Sequence, residues 1–144
     1  MREKTLRLLG LMRRANAISV GETNTGGAVR AGKAKLLILA QDSSDNARRR
    51  AEGFTRGRNV LTVTVPFTKE EIASNVGLPG CSMAAITDIG FANAFMKSLA
   101  EAVPGCYDEQ LAEVQQRFAK ADKRKKEAAA HEKNKRIGKR RNDV

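Results

Sequence analysis

The sequence is short of the residues from which metal sites and disulfide frameworks are built. Its 144 residues include one histidine, two cysteines and no tryptophan. Cys81 and Cys106 are too few for a disulfide framework, and a zinc site needs about four Cys or His ligands at suitable spacing. We therefore expect no metal and no cofactor. Two reduced cysteines are the favoured interpretation, with a single disulfide as the alternative.

The same scarcity leaves few candidates for catalysis. Acyl transfer needs a nucleophile beside a base, and the only imidazole, His131, lies among charged residues typical of a solvated surface. Asp42 and Asp88 each follow a predicted strand, where acids often serve catalysis. Each also stands where a helix-capping carboxylate belongs, and we interpret both as caps. The sequence therefore predicts a protein that is not an enzyme.

Long hydrophobic runs are also missing. No apolar stretch approaches the roughly 20 residues of a transmembrane helix. The stretch near the N-terminus is interrupted by Arg7, Arg13 and Arg14, which does not suit a signal peptide. Aromatic residues make up 4% of the chain, too few for a platform that stacks single-stranded nucleic acid. We expect a cytoplasmic protein with no membrane partner.

Positive charge, by contrast, is abundant: 27 Lys and Arg against 16 Asp and Glu give a net charge of +11. Between residues 120 and 141 there are 11 basic and 3 acidic residues. Such an excess favours a polyanionic partner, because each cation that neutralises a phosphate releases condensed counterions. A solvated helix that only aids solubility is the alternative for this segment. The expected phosphate contacts of the tail are Lys123, Arg124, Lys125, Lys126, Lys139, Arg140 and Arg141.

The composition changes at Pro104 and Gly105, which predicts a domain over 1–105 and a basic, partly disordered helical tail over 106–144. Hydrophobic periodicity, capping signals and apolar runs predict alternating helices and strands in the domain. Asn24 or Thr25 is the expected N-cap of the second helix. The predicted helices cover 3–14, the stretch after residue 24, 42–56, 68–77 and 90–103, and the predicted strands cover 36–40, 61–65 and 83–87.

Strands separated by helices imply βαβ crossovers and a sheet covered on both faces. The fold class expected is α/β, a three-layer α/β/α sandwich with a mixed sheet of about four strands, plus the C-terminal basic helical tail. In the tail, Leu111, Val114, Phe118 and Ala121 repeat at helical spacing. This stripe predicts that residues 108–121 dock on the domain or on a partner.

One phosphate-loop match is misleading. Residues 27–34 fit G-x-x-x-x-G-K, but Ala34 stands where such a loop needs Ser or Thr to hold magnesium. The segment also ends a predicted helix and leads into a strand, whereas a phosphate loop follows a strand and opens a helix. The sequence therefore argues against nucleotide hydrolysis.

Three segments carry a family resemblance: LLGLMRRA at 8–15, the stretch 21–42 that ends in GKAKLLILAQD, and AAITDIGFA at 84–92. With the order of elements, they make roughly residues 3–103 resemble the kink-turn RNA-binding ribosomal-protein family, and above all its small bacterial members. The resemblance implies the same three-layer fold. It also implies binding of a sharply bent RNA with tandem sheared G·A pairs.

In that family an Asn-Glu pair at the start of the second helix contacts the guanines, and a Lys follows one turn later. Gly21 matches the leading glycine. Thr23, Asn24 and Gly27 occupy the Asn, Glu and Lys positions, so all three readers depart from the pattern. RNA binding is still expected, whereas strict kink-turn specificity is in question. A loop after the fourth helix packs on a flipped-out base in the family, which assigns that role here to Leu78 and Pro79.

Arg30, Lys33 and Lys35 are expected near the same reading edge, where their charge would compensate for the missing readers. The main hypothesis is a non-catalytic binder of structured RNA, kink-turn-like or ribosomal, that acts as a ribosomal or ribosome-associated protein. One alternative is a protein-interaction adaptor that uses the tail helix and binds RNA weakly and without specificity. Another is a substrate-binding module for a separate RNA-modifying enzyme. A monomer is favoured.

Overall fold

The computed structural model describes residues 2–79 and 81–142, with side chains through residue 134. The predicted helices and strands are present there, together with one short strand, β1, that the sequence did not indicate. The elements in chain order are α1 (Arg2–Arg14), β1 (Ile18–Val20), α2 (Glu22–Arg30), β2 (Leu36–Leu39), α3 (Asp45–Thr55), β3 (Leu61–Thr64), α4 (Lys69–Val76), β4 (Met83–Ile86), α5 (Ile89–Ala102) and α6 (Asp108–Asn142).

The four strands form one mixed sheet in the order β1-β4-β2-β3. Strands β2 and β3 are parallel, while β4 runs antiparallel to both β2 and β1. It follows that β1, β2 and β3 all point the same way. Their carboxyl ends therefore meet at one edge of the sheet, which we call the carboxyl edge; the opposite edge is the amino edge.

Central strand β2 shows why the sheet needs helices on both faces. All four of its side chains are buried. Leu36 and Ile38 belong to a core cluster with α1, α4, α5 and α6, whereas Leu37 and Leu39 pack with α2 and α3. This alternation is the normal period of a strand, so a continuous apolar run has two apolar faces to cover. The predicted three-layer α/β/α sandwich is confirmed.

The start of α2 differs from the prediction. The helix begins at Glu22, with Gly21 as N-cap at φ +91°, so Asn24 or Thr25 as N-cap was wrong. The carbonyl of Gly21 accepts a hydrogen bond from Thr25 N at 2.9 Å, and Asn24 Nδ2 donates to Val20 O at 2.9 Å. The positive φ, which suits glycine, turns the chain directly from β1 into the helix.

Both acids that follow strands act as caps. Asp88 Oδ1 accepts from Phe91 N at 2.9 Å at the start of α5. Asp42 Oδ1 accepts from Lys69 N at 2.8 Å, so it caps α4 across the carboxyl edge rather than the neighbouring α3. The capping interpretation is thus confirmed for both carboxylates, with a different helix for Asp42.

The tail helix α6 packs on the core along its first turns. Val114 is completely buried in the larger core cluster, and Tyr107 and Leu111 pack against the same cluster. Tyr107 Oη also donates to Thr64 O at 2.9 Å. The first half of the apolar stripe predicted for docking, Leu111 and Val114, therefore lies against the protein's own core. The domain boundary at residue 105 stays a prediction.

The two glycines in α2 have different surroundings. A Cβ at residue 26 would lie 2.8 Å from the Cε1 and Cζ atoms of Phe54 on α3, whereas a Cβ at residue 27 would meet nothing within 4 Å. Gly26 is therefore a close-packing glycine between α2 and α3. Gly27 leaves open space on the helix.

Replacing Gly26 with Ala should leave the protein less stable than replacing Gly27 with Ala by at least about 1 kcal/mol. Either change gains up to about 1 kcal/mol of helix propensity, but only Gly26→Ala forces the Phe54 ring to move, at a typical cost of about 1–3 kcal/mol. Urea unfolding of both variants measures the difference. Adding Phe54→Leu to Gly26→Ala should recover part of the loss, and equal stabilities of the single variants would contradict the packing argument.

Candidate RNA interface

The strand directions bring three helix starts together. Helices α2, α3 and α4 each follow one of the parallel strands, so all three N-termini lie at the carboxyl edge. Residues 77–79 and 81–82, which precede the antiparallel strand β4, reach the same edge. A helix N-terminus carries unpaired N–H groups and a partial positive charge. The edge is therefore an attractive surface for anionic and hydrogen-bond-accepting groups.

An open groove of about 620 Å³ runs along this edge, between α2, α3, α4 and the loop before β4. We call it the carboxyl groove. It holds two basic and two acidic side chains, so it is close to neutral. Its polar lining includes Glu22, Ser44, Asn46, Arg50, Lys69 and Glu70.

A salt bridge joins two of the helices across this groove. Arg50 NH1 lies 2.7 Å from Glu22 Oε2, which fixes the second turn of α3 against the first turn of α2. The start of α3 is capped by Ser44, which accepts from Ala47 N at 3.1 Å. Gly21 has no side chain to cap α2. The first-turn amides of α2 can therefore bind an external acceptor.

Four of the predicted site residues come together at this edge. Gly21 lies where β1 turns into α2, and Thr23 and Asn24 are exposed in the first turn of that helix. Pro79 is exposed and lines the groove. Leu78, in contrast, is half-buried and packs against the core, so Pro79 is the more accessible of the two.

The expected position of Arg30, Lys33 and Lys35 is wrong. Helix α2 starts at the carboxyl edge and, with nine residues, carries the chain about 13 Å away from it. Lys35 directly precedes β2 and donates its backbone N–H to Ile86 O, at the end of β4. These three basic residues therefore lie toward the amino edge, and the Arg30 guanidinium stacks over the Phe54 ring at 6.0 Å.

The predicted tail contacts lie on α6 beyond its docked turns. Lys123, Arg124, Lys125 and Lys126 are exposed. Lys126 Nζ lies 3.1 Å from Asp122 Oδ2, and Lys123 Nζ lies 4.0 Å from Glu127 Oε1. Three further predicted contacts lie outside the residues whose side chains are described: Lys139, Arg140 and Arg141.

Sequence reasoning missed most of the groove's polar lining. Asn46 and Arg50 belong to α3, and Lys69 and Glu70 to the first turn of α4. The signal that could have found them is the order of elements, because helices that follow parallel strands begin at a common edge. The order of β1 and β4 in the sheet was needed to place them, and it is not visible in the sequence.

Other kinds of site have little support in the described part of the chain. No group of three or more His, Cys, Asp or Glu there could hold a metal ion. His131 is exposed on α6. None of the helices described is both long and apolar enough to cross a membrane.

The fold and its site define a small α/β/α protein whose candidate site is an open edge with three helix N-termini. The chain belongs to the Ribosomal protein L7Ae/L30e/S12e/Gadd45 family, whose model matches residues 3–96. The family resemblance seen in the sequence is thereby confirmed. The matched region ends within α5, so α6 lies outside it.

Two curated relatives are similar to about two thirds of the chain. The RNA-binding protein YlxQ of Enterococcus faecium is 32% identical over 91 residues, which cover 63% of this chain and 86% of the relative. The RNA-binding protein YlxQ of Bacillus subtilis (strain 168) is 33% identical over 96 residues, covering 64% and 91%.

Two solved structures share the fold. A protein of unknown function from Bacillus halodurans aligns with a TM-score of 0.60 at 23% identity, covering 68% of this chain and 97% of that one. The Giardia lamblia 15.5kD RNA binding protein aligns with a TM-score of 0.52 at 20% identity, covering 67% and 82%. At these identities the likeness shows the fold alone.

The two cysteines differ in their exposure to solvent. Cys106 is exposed and Cys81 is buried, and both are free thiols. Burial raises the pKa of the Cys81 thiol from its ordinary value of 9.0 to about 11. Its sulfur lies 3.6 Å from Met83 O. The thiol is therefore protonated and inert near neutral pH.

We expect iodoacetamide at pH 8 to label Cys106 in the native protein, and to label Cys81 only after denaturation. Because the folded-state pKa of Cys81 lies above its unfolded value, the unfolded chain loses this proton first. The stability contributed by Cys81 should therefore fall between about pH 9 and pH 11, by up to about 2 kcal/mol. Urea unfolding of the wild type and of Cys81→Ala across this range isolates the effect, and rapid native labelling of Cys81 would contradict the assignment.

Proposed function

We propose that this chain is a non-catalytic, cytoplasmic binder of structured RNA, kink-turn-like or ribosomal, that works as a ribosomal or ribosome-associated protein. The observation that carries the proposal is the open groove at the carboxyl edge, where three helices begin and the first-turn amides of α2 have no side-chain cap. Backbone N–H groups and short polar side chains at helix starts are common contacts to RNA phosphates and base edges. Membership of the family supports the same function, as do the names of the two curated relatives.

Thr23 and Asn24 are the proposed base readers at the start of α2. Both side chains are exposed, and Asn24 has one donor already bonded to Val20 O, which holds the amide in place. Bonds made by Thr and Asn are neutral and about half as strong as those of a charged reader. Recognition at this edge therefore relies on the shape of the bent RNA, with Pro79 placed beside an unpaired base.

The cations of the tail contribute affinity rather than specificity in this proposal. Phosphate contacts fix position and add affinity without reading sequence. Lys123, Lys125 and Lys126 are exposed along α6, where they can attract RNA of any sequence. Lys139, Arg140 and Arg141 would extend the same attraction.

The adaptor hypothesis needs the apolar stripe of α6 to be free for a partner, and part of that stripe is used within the protein. Val114 is completely buried and Leu111 packs against the same cluster, so the first half of the apolar stripe lies on the core, while Phe118 is half-buried. A monomer is the oligomeric state that fits this arrangement.

The function is tested by fluorescence anisotropy of the full chain with a kink-turn RNA and with the same RNA after its G·A pairs are replaced by Watson–Crick pairs. We expect the kink-turn to bind at least tenfold more tightly, about 1.4 kcal/mol. A log–log salt slope near −4 to −5 is expected if about five phosphates are neutralised. Equal affinities would reduce the function to general binding of structured RNA, and no binding to either RNA would refute the proposal.

A charge placed among the readers should abolish the preference. Thr23→Glu adds an acid in the first turn of α2, where helices tolerate acids well, so the fold should survive. We expect at least a tenfold loss of affinity for the kink-turn RNA. Ala94→Glu adds the same charge at an exposed position of α5 and serves as the matched control; similar losses in both variants would argue against the α2 edge as the site.

A lysine at position 27 should strengthen binding. The position has open space around a Cβ, lies one turn after Thr23, and corresponds to the Lys of the family pattern. Gly27→Lys gains up to about 1 kcal/mol of helix stability, and we expect a severalfold gain in affinity for kink-turn RNA. Ala94→Lys is the control for added charge, and an equal gain there would show that position 27 has no special role.

A further inference from the structure

A second groove lies at the amino edge, at the opposite end of the strands from the proposed readers Thr23 and Asn24. It has a volume of about 510 Å³ and forms where α6 passes the end of α2 and the starts of β2 and β3. We call it the amino groove. Its charged lining consists of Lys35, Arg58, Glu113, Arg117, Lys120 and Arg124.

One face of α6 supplies most of this charge. Glu113, Arg117, Lys120 and Arg124 follow one another at spacings of four, three and four residues, which places them on one side of a helix. Val114, next to Glu113, is buried in the core. The docking of α6 therefore holds its basic face over the amino edge.

Two of the cations are structural anchors. Arg117 donates to the backbone oxygen of Asn59 at 3.0 Å and to its Oδ1 at 2.8 Å, and its NH2 lies 3.0 Å from Glu113 Oε1. Arg58 NH1 donates to Val29 O at 3.1 Å, near the end of α2. Arg117 thus ties α6 to the loop before β3, Arg58 ties the same loop to the end of α2, and the one acid of the groove is paired with Arg117.

The remaining cations have no such partner. Among the described residues, Lys35, Lys120 and Arg124 make no salt bridge. Lys120 and Arg124 stand one helical turn apart, about 6 Å along the axis, and Lys35 approaches from the sheet. Lys35, Lys120 and Arg124 therefore line one open groove without a salt bridge among the described residues. An extended polyanion could neutralise all three.

The two grooves differ in charge. The carboxyl groove has two cations and two anions, of which Arg50 and Glu22 are paired. The amino groove has five cations and a single anion. The carboxyl groove thus offers helix N-termini and hydrogen-bonding side chains, whereas the amino groove carries the larger net positive charge.

We propose that the amino groove is a second RNA-contact surface, which binds backbone phosphates through Lys35, Lys120 and Arg124. This inference rests on the proposed RNA-binding function and assigns that function a second site. The length of α2 alone separates the grooves by about 13 Å. An RNA that occupies both grooves must therefore span at least this distance along the direction of α2.

The test compares two triple variants of the full chain that carry the same change in charge. The groove variant is Lys35→Gln with Lys120→Gln and Arg124→Gln. The control is Lys4→Gln with Lys97→Gln and Arg14→Gln, three exposed cations on α1 and α5. Circular dichroism establishes that both variants keep the fold of the wild type, and anisotropy with the kink-turn RNA across a salt series measures binding.

We expect the groove variant to bind at least tenfold more weakly at physiological salt, with the magnitude of the log–log slope reduced by about 2 to 3. The control should change the slope by less than 1. Equal losses in the two variants would overturn the second site while leaving RNA binding intact. If the wild type binds no RNA, the proposed function itself fails.

Lysine acetylation footprinting of the wild-type complex provides a readout that needs no variant. Lys35 and Lys120 should be protected by the bound kink-turn RNA, whereas Lys4 and Lys97 should react as in the free protein. Protection of neither groove lysine would overturn the proposal even if the groove variant binds weakly. Protection of Lys120 without protection of Lys35 would also contradict the proposal, because a site that spans the amino edge must include Lys35.

Discussion

The burial of β2 on both faces is the constraint from which the rest of the molecule follows. A strand with four apolar side chains needs an apolar partner on each side, and α2 and α3 supply one layer while α1, α4, α5 and the start of α6 supply the other. Because β1, β2 and β3 run in the same direction, the helices that follow them, α2, α3 and α4, all begin at one edge of the sheet. The candidate site thus follows from the way the helices cover β2, because this packing places the helix starts and their exposed polar residues at one edge.

Much of this architecture could be predicted from the sequence, because its signals are local. The continuous run 36–40 predicted β2, and the spacing of Thr68 and Glu71, which form a capping box in the structure, predicted the start of α4. Strand β1 was not predicted, because a strand of three residues is too short to show a hydrophobic period. The start of α2 was misplaced because the determining feature is a backbone angle at Gly21, which a scan for side-chain caps does not detect.

The candidate site was less predictable, since it depends on distances through space. Arg30, Lys33 and Lys35 follow Thr23 and Asn24 closely along the chain, yet an intervening helix carries them to the other edge. Arg50 is one of three consecutive arginines in the sequence, and only the tertiary structure places it beside Glu22. In both cases the tertiary arrangement, and not the local pattern, decides which residues are neighbours.

The pairing of Glu22 with Arg50 has a consequence for selectivity. An anion that approaches this arginine competes with a carboxylate already held beside it, at an effective concentration in the millimolar range or above. Free inorganic phosphate, with one point of attachment, gains little by such an exchange. The competition is limited, because a partly exposed ion pair contributes at most about 1 kcal/mol, and a ligand with several simultaneous attachments loses only a small part of its binding energy to it.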